Sequence, residues 1–321
     1  MIHRDQAIDS VRYKIFPIRF FNKGLKPDEF RRVPIKRGFD GYGVSFAIGS
    51  DETIWIANGD NNSILCLHKE AITVYPQPFG KDKVPIGVAC TRTHIVFITS
   101  SLKSRKSSEI VFCNTELKVQ RVVSLGKEDT PLPPVWLSVS DDSTKIWLTH
   151  RGVNLDGHSR PTYTRLVACE VATGAVIRRW EGVHGIARLP GDVLYVSGNL
   201  VSEGNLRVLS LPKSLETDWL LVGVDRMERS YWLASRFSIT DRVFSVKLAC
   251  ATAGGDLVWQ VPLTDSGGIL TELMEKPALN LGWGGDWIEI APDGTIYVLA
   301  WSHTQQIKKA VGLFKVFIYT S

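Results

Sequence analysis

The chain has 321 residues, 44% of them hydrophobic and 22% charged, with a net charge of +5 and a pI near 8.9. That composition supplies a large apolar core and is ordinary for a soluble globular protein. The positive excess is far below that of a dedicated nucleic-acid binder, and no stretch nears the roughly 18 apolar residues of a membrane span; neither nucleic acid nor a membrane is expected as a partner.

The N-terminal residues 1–6 (Met-Ile-His-Arg-Asp-Gln) lack a sustained apolar stretch, so no secretory signal is expected. Five cysteines, an odd number with no Cys-x-x-Cys pair, read as reduced thiols serving as small apolar residues. Both features favour a cytoplasmic, reducing compartment.

In chain order, residues 12–20 have strand composition but no neighbouring partner. Six hairpins follow. Their first strands are expected at 44–48, 86–90, 135–139, 185–189, 219–224 and 287–290. Each is followed by a turn, the last being Pro292-Asp293-Gly294, and by a second strand with an aromatic among aliphatics. Those aromatics are Trp55, Phe97, Trp147, Tyr195, Trp232 and Tyr297, spaced 42, 50, 48, 37 and 65 residues apart. A four-stranded propeller blade repeats every 40–50 residues or so, which fits this spacing with one insertion before the last copy. Third strands are expected at 64–68, 110–113, 165–171, 205–210 and 243–250, and fourth strands at 72–75, 119–124, 176–180 and 257–263. The fourth copy is thin: its fourth strand is either missing or irregular.

The last copy has only three strands of its own, ending at 312–321. Residues 12–20 are therefore expected to supply its outer strand and close the ring; the alternative is a flexible N-terminal arm. Pro17 suits an edge position, where a missing N–H costs little. The fold class that follows is all-β: a β-propeller of about six blades in one domain. The blades span 42–76, 85–125, 134–180, 184–212, 218–263 and 283–320, with a long loop at 264–282.

Two copies carry a family resemblance. The run Pro292-Asp293-Gly294-Thr295-Ile296-Tyr297-Val298 and the stretch from Ile54-Trp55-Ile56-Ala57-Asn58 to Ile64 resemble NHL-repeat propellers. They are similar also to the gluconolactonase-like and streptogramin-lyase-like propellers. The resemblance covers about 42–320 and implies the fold; these families include hydrolases, lyases and interaction scaffolds. Gluconolactonase-like relatives imply a divalent cation such as calcium, here with Asn58, Asn199, Asp218 and Asp286 as the oxygen-bearing residues, although no Glu stands at a matching strand start. Streptogramin-lyase-like relatives imply a catalytic His with a nearby Glu.

Antiparallel pairing puts the start of each first strand and the end of each second strand at one rim of the channel. Strand starts bring Tyr42, Trp136, His184, Trp283, Asp286 and Trp287 there. Strand ends bring Asn58, His150, Arg151, Asn199, Arg236, Trp301 and His303. Aromatic walls with a few convergent polar groups are typical of binding sites. His150, His184, His303 and Arg151 are the candidates for proton transfer or anion contact, because imidazole titrates near neutrality and guanidinium is a fixed, forked cation. The other nine are candidate ligand contacts. No metal ligand set and no resident cofactor is assigned. The expected function is a recognition or scaffold module that binds a protein or a small molecule at this rim. The alternative is a lyase or hydrolase in the channel mouth with His as general base. Whether the chain is an enzyme stays open.

Overall fold

The computed structural model describes residues 5–8, 11–22, 24–30, 44–49, 51–59, 61–69, 71–101, 108–125, 134–140, 142–153, 161–189, 193–198, 206–215, 219–238, 243–263, 288–301 and 309–320. Every long regular element among them is a strand. β1 (Asp5–Ile8) and β2 (Val11–Asn22) come first. Blade one is β3 (Val44–Ile48), β4 (Ile54–Asn58), β5 (Ser63–His68) and β6 (Ala71–Pro76). Blade two is β7 (Lys83–Cys90), β8 (Ile95–Ser101), β9 (Ser108–Cys113) and β10 (Val119–Ser124). Blade three is β11 (Pro134–Val139), β12 (Lys145–Val153), β13 (Pro161–Glu170) and the first half of β14 (Val176–Leu189). Blade four is the second half of β14 with β15 (Val193–Gly198) and β16 (Leu206–Leu209). Blade five is β17 (Trp219–Val224), β18 (Ser230–Ser238), β19 (Val243–Ala251) and β20 (Leu257–Pro262). Blade six is β21 (Ile288–Ile290), β22 (Ile296–Trp301) and β23 (Lys309–Thr320), with β2 outside them.

Ring closure follows from that last sheet. β2 pairs antiparallel with β23 from Val11–Thr320 to Asn22–Lys309. Val11, Tyr13 and Ile15 alternate inward and are buried, each contributing about 1.5–3 kcal/mol by burial. Phe20 meets Phe314, and Phe16 meets Phe317, edge to face. β1 adds a fifth strand beside Val11–Lys14, which the sequence did not suggest. Pro17 lies past that pairing, at a register shift in β2, where it removes no ladder hydrogen bond from the open side.

The blades bury both faces against their neighbours. One apolar cluster joins blades one and two through Trp55, Phe97 and Val111. Others join two to three through Val96, Ile98 and Leu148, three to four through Trp147, Ile186 and Val196, and four to five through Tyr195, Leu221 and Trp232. The largest runs from blade five through six to one, with Tyr231, Val298 and Phe46. These clusters reveal a slip in the aromatic repeat. Trp55, Trp147 and Tyr195 face the next blade, whereas Phe97 and Trp232 face the preceding one. A one-residue offset turns every side chain of a strand to the other face, so the forward positions in blades two and five are the alternate residues, such as Val96 and Tyr231.

Blade four also departs from expectation. β16 is parallel to β15, from Leu194–Leu206 to Ser197–Leu209, and is the last of the blade's three strands among the described residues. Seven residues separate the two strands, and seven extended residues reach about 23 Å, enough to run back along a six-residue strand. β14 serves two blades: Val183 pairs with Thr164 of β13 and with Gly198 of β15.

At the lower face, short turns link first and second strands. Asp51, Asp142 and Asp293 each accept from the backbone N–H of the Thr two residues on, at 3.1, 3.0 and 2.9 Å. The residue between has positive φ in all three: Glu52, Ser143 and Gly294. Hydrogen bonds from the Ser140 hydroxyl and from Thr144 bring the Asp142 carboxyl down to about 2. Burial works upward on Asp51 and Asp293, yet bonds from Thr53 and Thr295 hold both below the usual value. In blade five, buried Asp225 accepts from Arg229 Nε at 2.7 Å and the Tyr231 hydroxyl at 2.9 Å, and Arg226 N–H donates to the Pro292 carbonyl of blade six at 2.8 Å. Beside this junction a Cβ on Gly223 would lie 2.1 Å from Ile290 Cγ1.

Two outcomes are expected. Gly223→Ala forces blades five and six apart and lowers stability by about 1–3 kcal/mol in urea melts; an unchanged midpoint would mean the two inner strands are not in close contact. The carboxyls of Asp51, Asp142 and Asp293 are depressed in the fold, so their contribution is full above the unfolded value near 4 and disappears as pH falls through the folded values. Thermal midpoints measured from pH 5 to pH 2 should fall, and less steeply in Asp142→Asn.

Candidate functional site

The upper rim is where first strands begin and second strands end. Its height differs between blades. In blade one the inner strand covers the hairpin to its end, since Val44 pairs with Asn58. Among the described residues, β11 of blade three pairs as far as Pro134–His150, while β12 and β13 pair on to Val153–Pro161. In blade five the described part of β17 pairs as far as Trp219–Ala234, while β18 and β19 continue to Ser238–Val243. Three or four residues of hairpin therefore extend about 10–13 Å past the described ends of these inner strands. The three described strands of blade four lie between them.

Several of the expected site residues are distributed along this rim by their backbone. His150 pairs with both Pro134 and Arg165 at the base of the blade-three hairpin, and Trp136 pairs with Thr149 beside it. Arg151 falls in a register shift between His150 and Gly152. His184 falls in a second shift, between Val183 and Gly185, where β14 enters blade four. Arg236 pairs with Ser245 in the blade-five hairpin, and Trp301 pairs with Val311 at the end of β22. Bulges re-aim single side chains and recur beside active sites. Tyr42, Asn199, Asp218, Trp283, Asp286, Trp287, His303 and the 264–282 loop lie outside the described residues.

Asn58 is the one candidate whose side chain is described, and it is fully buried. Its Nδ2 donates to the Glu29 carbonyl at 2.9 Å. Glu29 belongs to a strap, residues 24–30, that leaves the closing strand β2 and lies over the β4–β5 turn of blade one. The strap closes on itself through Gly24 N to Phe30 O at 3.0 Å and Phe30 N to Asn22 O at 2.9 Å. Phe30 is fully buried against Phe21, with ring centroids 4.8 Å apart. Asn61 Nδ2 donates to strap carbonyls, and the Ser63 hydroxyl donates to Pro27 O at 2.5 Å. These contacts were missed from the sequence. The Gly24…Pro27-Asp28 turn residues ahead of Phe30 are the signal that could have revealed them.

The strap bears on the chemistry implied by the resemblance. Of the four residues offered for a channel cation only Asn58 is described, its amide nitrogen is bound to the strap, and no step is routed through such a metal. The described residues hold no group of three or more His, Cys, Asp or Glu placed for a metal. The His-x-Glu spacing occurs at His68-Lys69-Glu70, but His68 lies at the lower end of β5, its Nδ1 2.9 Å from the Thr53 hydroxyl, on the opposite face from Asn58. Burial pushes the Cys66 thiol up to about 11 and those of Cys113 and Cys250 up to about 12, so none of the three offers a thiolate near neutral pH.

No protein-family model and no curated protein matches the sequence. Among solved structures, the chain is similar to virginiamycin B lyase from Staphylococcus aureus bound to quinupristin, at 12% identity and a TM-score of 0.48 over 95% of this chain and 99% of that one. It is similar also to glutaminyl cyclase of Myxococcus xanthus, at 11% identity and a TM-score of 0.41 over 96% and 97%. A third is the Cps50 (Swd1) β-propeller domain of Myceliophteria thermophila, at 12% identity and a TM-score of 0.44 over 84% and 82%. A lyase, a cyclase and a β-propeller domain occur among these neighbours, and likeness at this level carries nothing about family or activity.

Proposed function

We propose that this chain is a recognition module: a six-bladed ring, acting as one domain, that binds a protein partner through the hairpins and loops of its upper rim. The observation that carries this reading is that the β12–β13 and β18–β19 hairpins extend beyond the described ends of their inner strands, on either side of blade four. Projecting hairpins on a rigid scaffold are a common way to present binding residues. His150 and Arg151 belong to one hairpin and Arg236 to the other, so a partner with an anionic surface fits best. Five cysteines outside any disulfide accord with a cytoplasmic setting, and no helix among the described residues is long and apolar enough to cross a membrane.

A second reading has its own support. The register shifts at Arg151 and His184 suit a catalytic rim in which His150, His184 or His303 acts as general base and Arg151 stabilises an anion, with Tyr42, Asn58, Trp136, Asn199, Trp283, Asp286, Trp287 and Trp301 as ligand contacts.

The expected result separates the two. The polypeptide that co-purifies with the chain should bind the Arg151→Glu, Arg236→Glu double variant at least about tenfold more weakly in a titration, a loss of about 1.4 kcal/mol. A lower-face Arg226→Glu variant should bind as the parent does. Equal losses from both faces would remove the rim from the proposal. Turnover of a small molecule that vanishes in His184→Ala while capture persists would favour the catalytic reading.

A further inference from the structure

Between the strap and the β4–β5 turn, hydrogen-bond acceptors outnumber donors. Asn61 Nδ2 lies 3.2, 2.9 and 2.5 Å from the carbonyl oxygens of Gly24, Lys26 and Glu29. That is three acceptors for two N–H bonds. Asn58 Nδ2 takes the same Glu29 carbonyl at 2.9 Å, which brings the two amides to one spot. The acceptor side is worse supplied. Asn58 is fully buried and its Oδ1 has no partner, and Asn62 Oδ1 is buried without one as well. Asn62 also holds a positive φ of 52°. Buried oxygens of this kind are ordinarily paired, so two within one turn need a cause.

A ring of carbonyls closing on the partly positive NH2 of an amide has the electrostatics of a cation cage. A half-turn of the Asn61 amide exchanges Nδ2 for Oδ1 in nearly the same shape, and the surplus donor becomes a ligand. The geometry points to a site for a monovalent alkali cation, potassium or sodium, between the strap and blade one. Its ligands are the carbonyls of Gly24, Lys26 and Glu29 and the side-chain oxygens of Asn58, Asn61 and Asn62. Charge selects the ion: all six ligands are neutral, whereas calcium sites draw on carboxylates, and carbonyl oxygens are what replace the hydration shell of potassium. The Glu29 carboxylate lies beside Gly24 and is taken up within the strap, accepting from Lys26 N–H at 3.1 Å and lying 3.8 Å from the Lys26 ammonium. The bound ion fastens the strap, and through it the closing strand, to blade one.

The test is thermal unfolding of the whole chain in potassium, sodium or choline chloride at equal ionic strength, choline being too large to enter. Potassium or sodium should raise the midpoint by about 2–4 °C over choline, since a ligand bound only by the folded state stabilises it. Asn62→Gly keeps the positive φ, removes one oxygen and should abolish the difference while still melting cooperatively. Asn58→Asp adds a charge and should create a response to millimolar calcium that the parent lacks. Identical midpoints in all three salts would overturn the assignment. So would an undiminished salt response in Asn62→Gly, or a parent chain that responds to calcium alone.

Discussion

The pairing of β2 with β23 is the contact on which the rest depends. Without it blade six has three strands and an open edge, and the largest apolar cluster loses Val11, Tyr13 and Ile15. Twelve residues of antiparallel ladder convert an arc of sheets into a ring in which every blade has two neighbours. Each blade can then be apolar on both faces, as the buried strands β4, β8 and β22 are. An open arc would leave two such faces in water.

Much of this was legible. Alternating apolar strands and Asp-containing turns recur along the chain, and β3, β10 and β17 begin and end where expected. The closing strand could be inferred by counting, because blade six lacked one. The aromatic repeat was less faithful than it looked. A Trp or Phe satisfies an interface from either side, so Phe97 and Trp232 fit the spacing while facing backward. Blade four could be read as thin, but not as parallel: direction depends on where a connection runs, and the residues of β16 carry no mark of it.

The candidate site was legible only as a place. Antiparallel geometry identifies which strand ends share the rim; the backbone of Arg151, His184 and Arg236 falls at raised or bulged positions, and that of His150 at the base of a hairpin. The bulges themselves leave no signature, since each is one extra residue in an otherwise alternating strand. Asn58 makes a contact that no local pattern carries. A polar residue at a strand end reads as a ligand contact, yet its amide is bound to a loop more than twenty residues earlier in the chain. Long-range polar pairing of this kind has no local pattern to betray it.

The two faces follow different rules. The lower face is built from tight turns whose carboxylates are fastened to their own backbone, and it cross-links blades five and six through Arg226 and Pro292. The upper face carries the long hairpins and the strap. Rigid turns below allow length to vary above without disturbing the blades.

The antiparallel ladder from Val11 to Thr320 also sets a schedule for synthesis. On the ribosome β2 emerges well before β23, so its partner exists only after blades one to five have been made. Those blades can stack as they appear, each against the one before, but blade six stays incomplete until β23 leaves the exit tunnel. Until then β2 has only the short strand β1 beside it, and closing the ring is a late, long-range pairing of the kind that forms slowly.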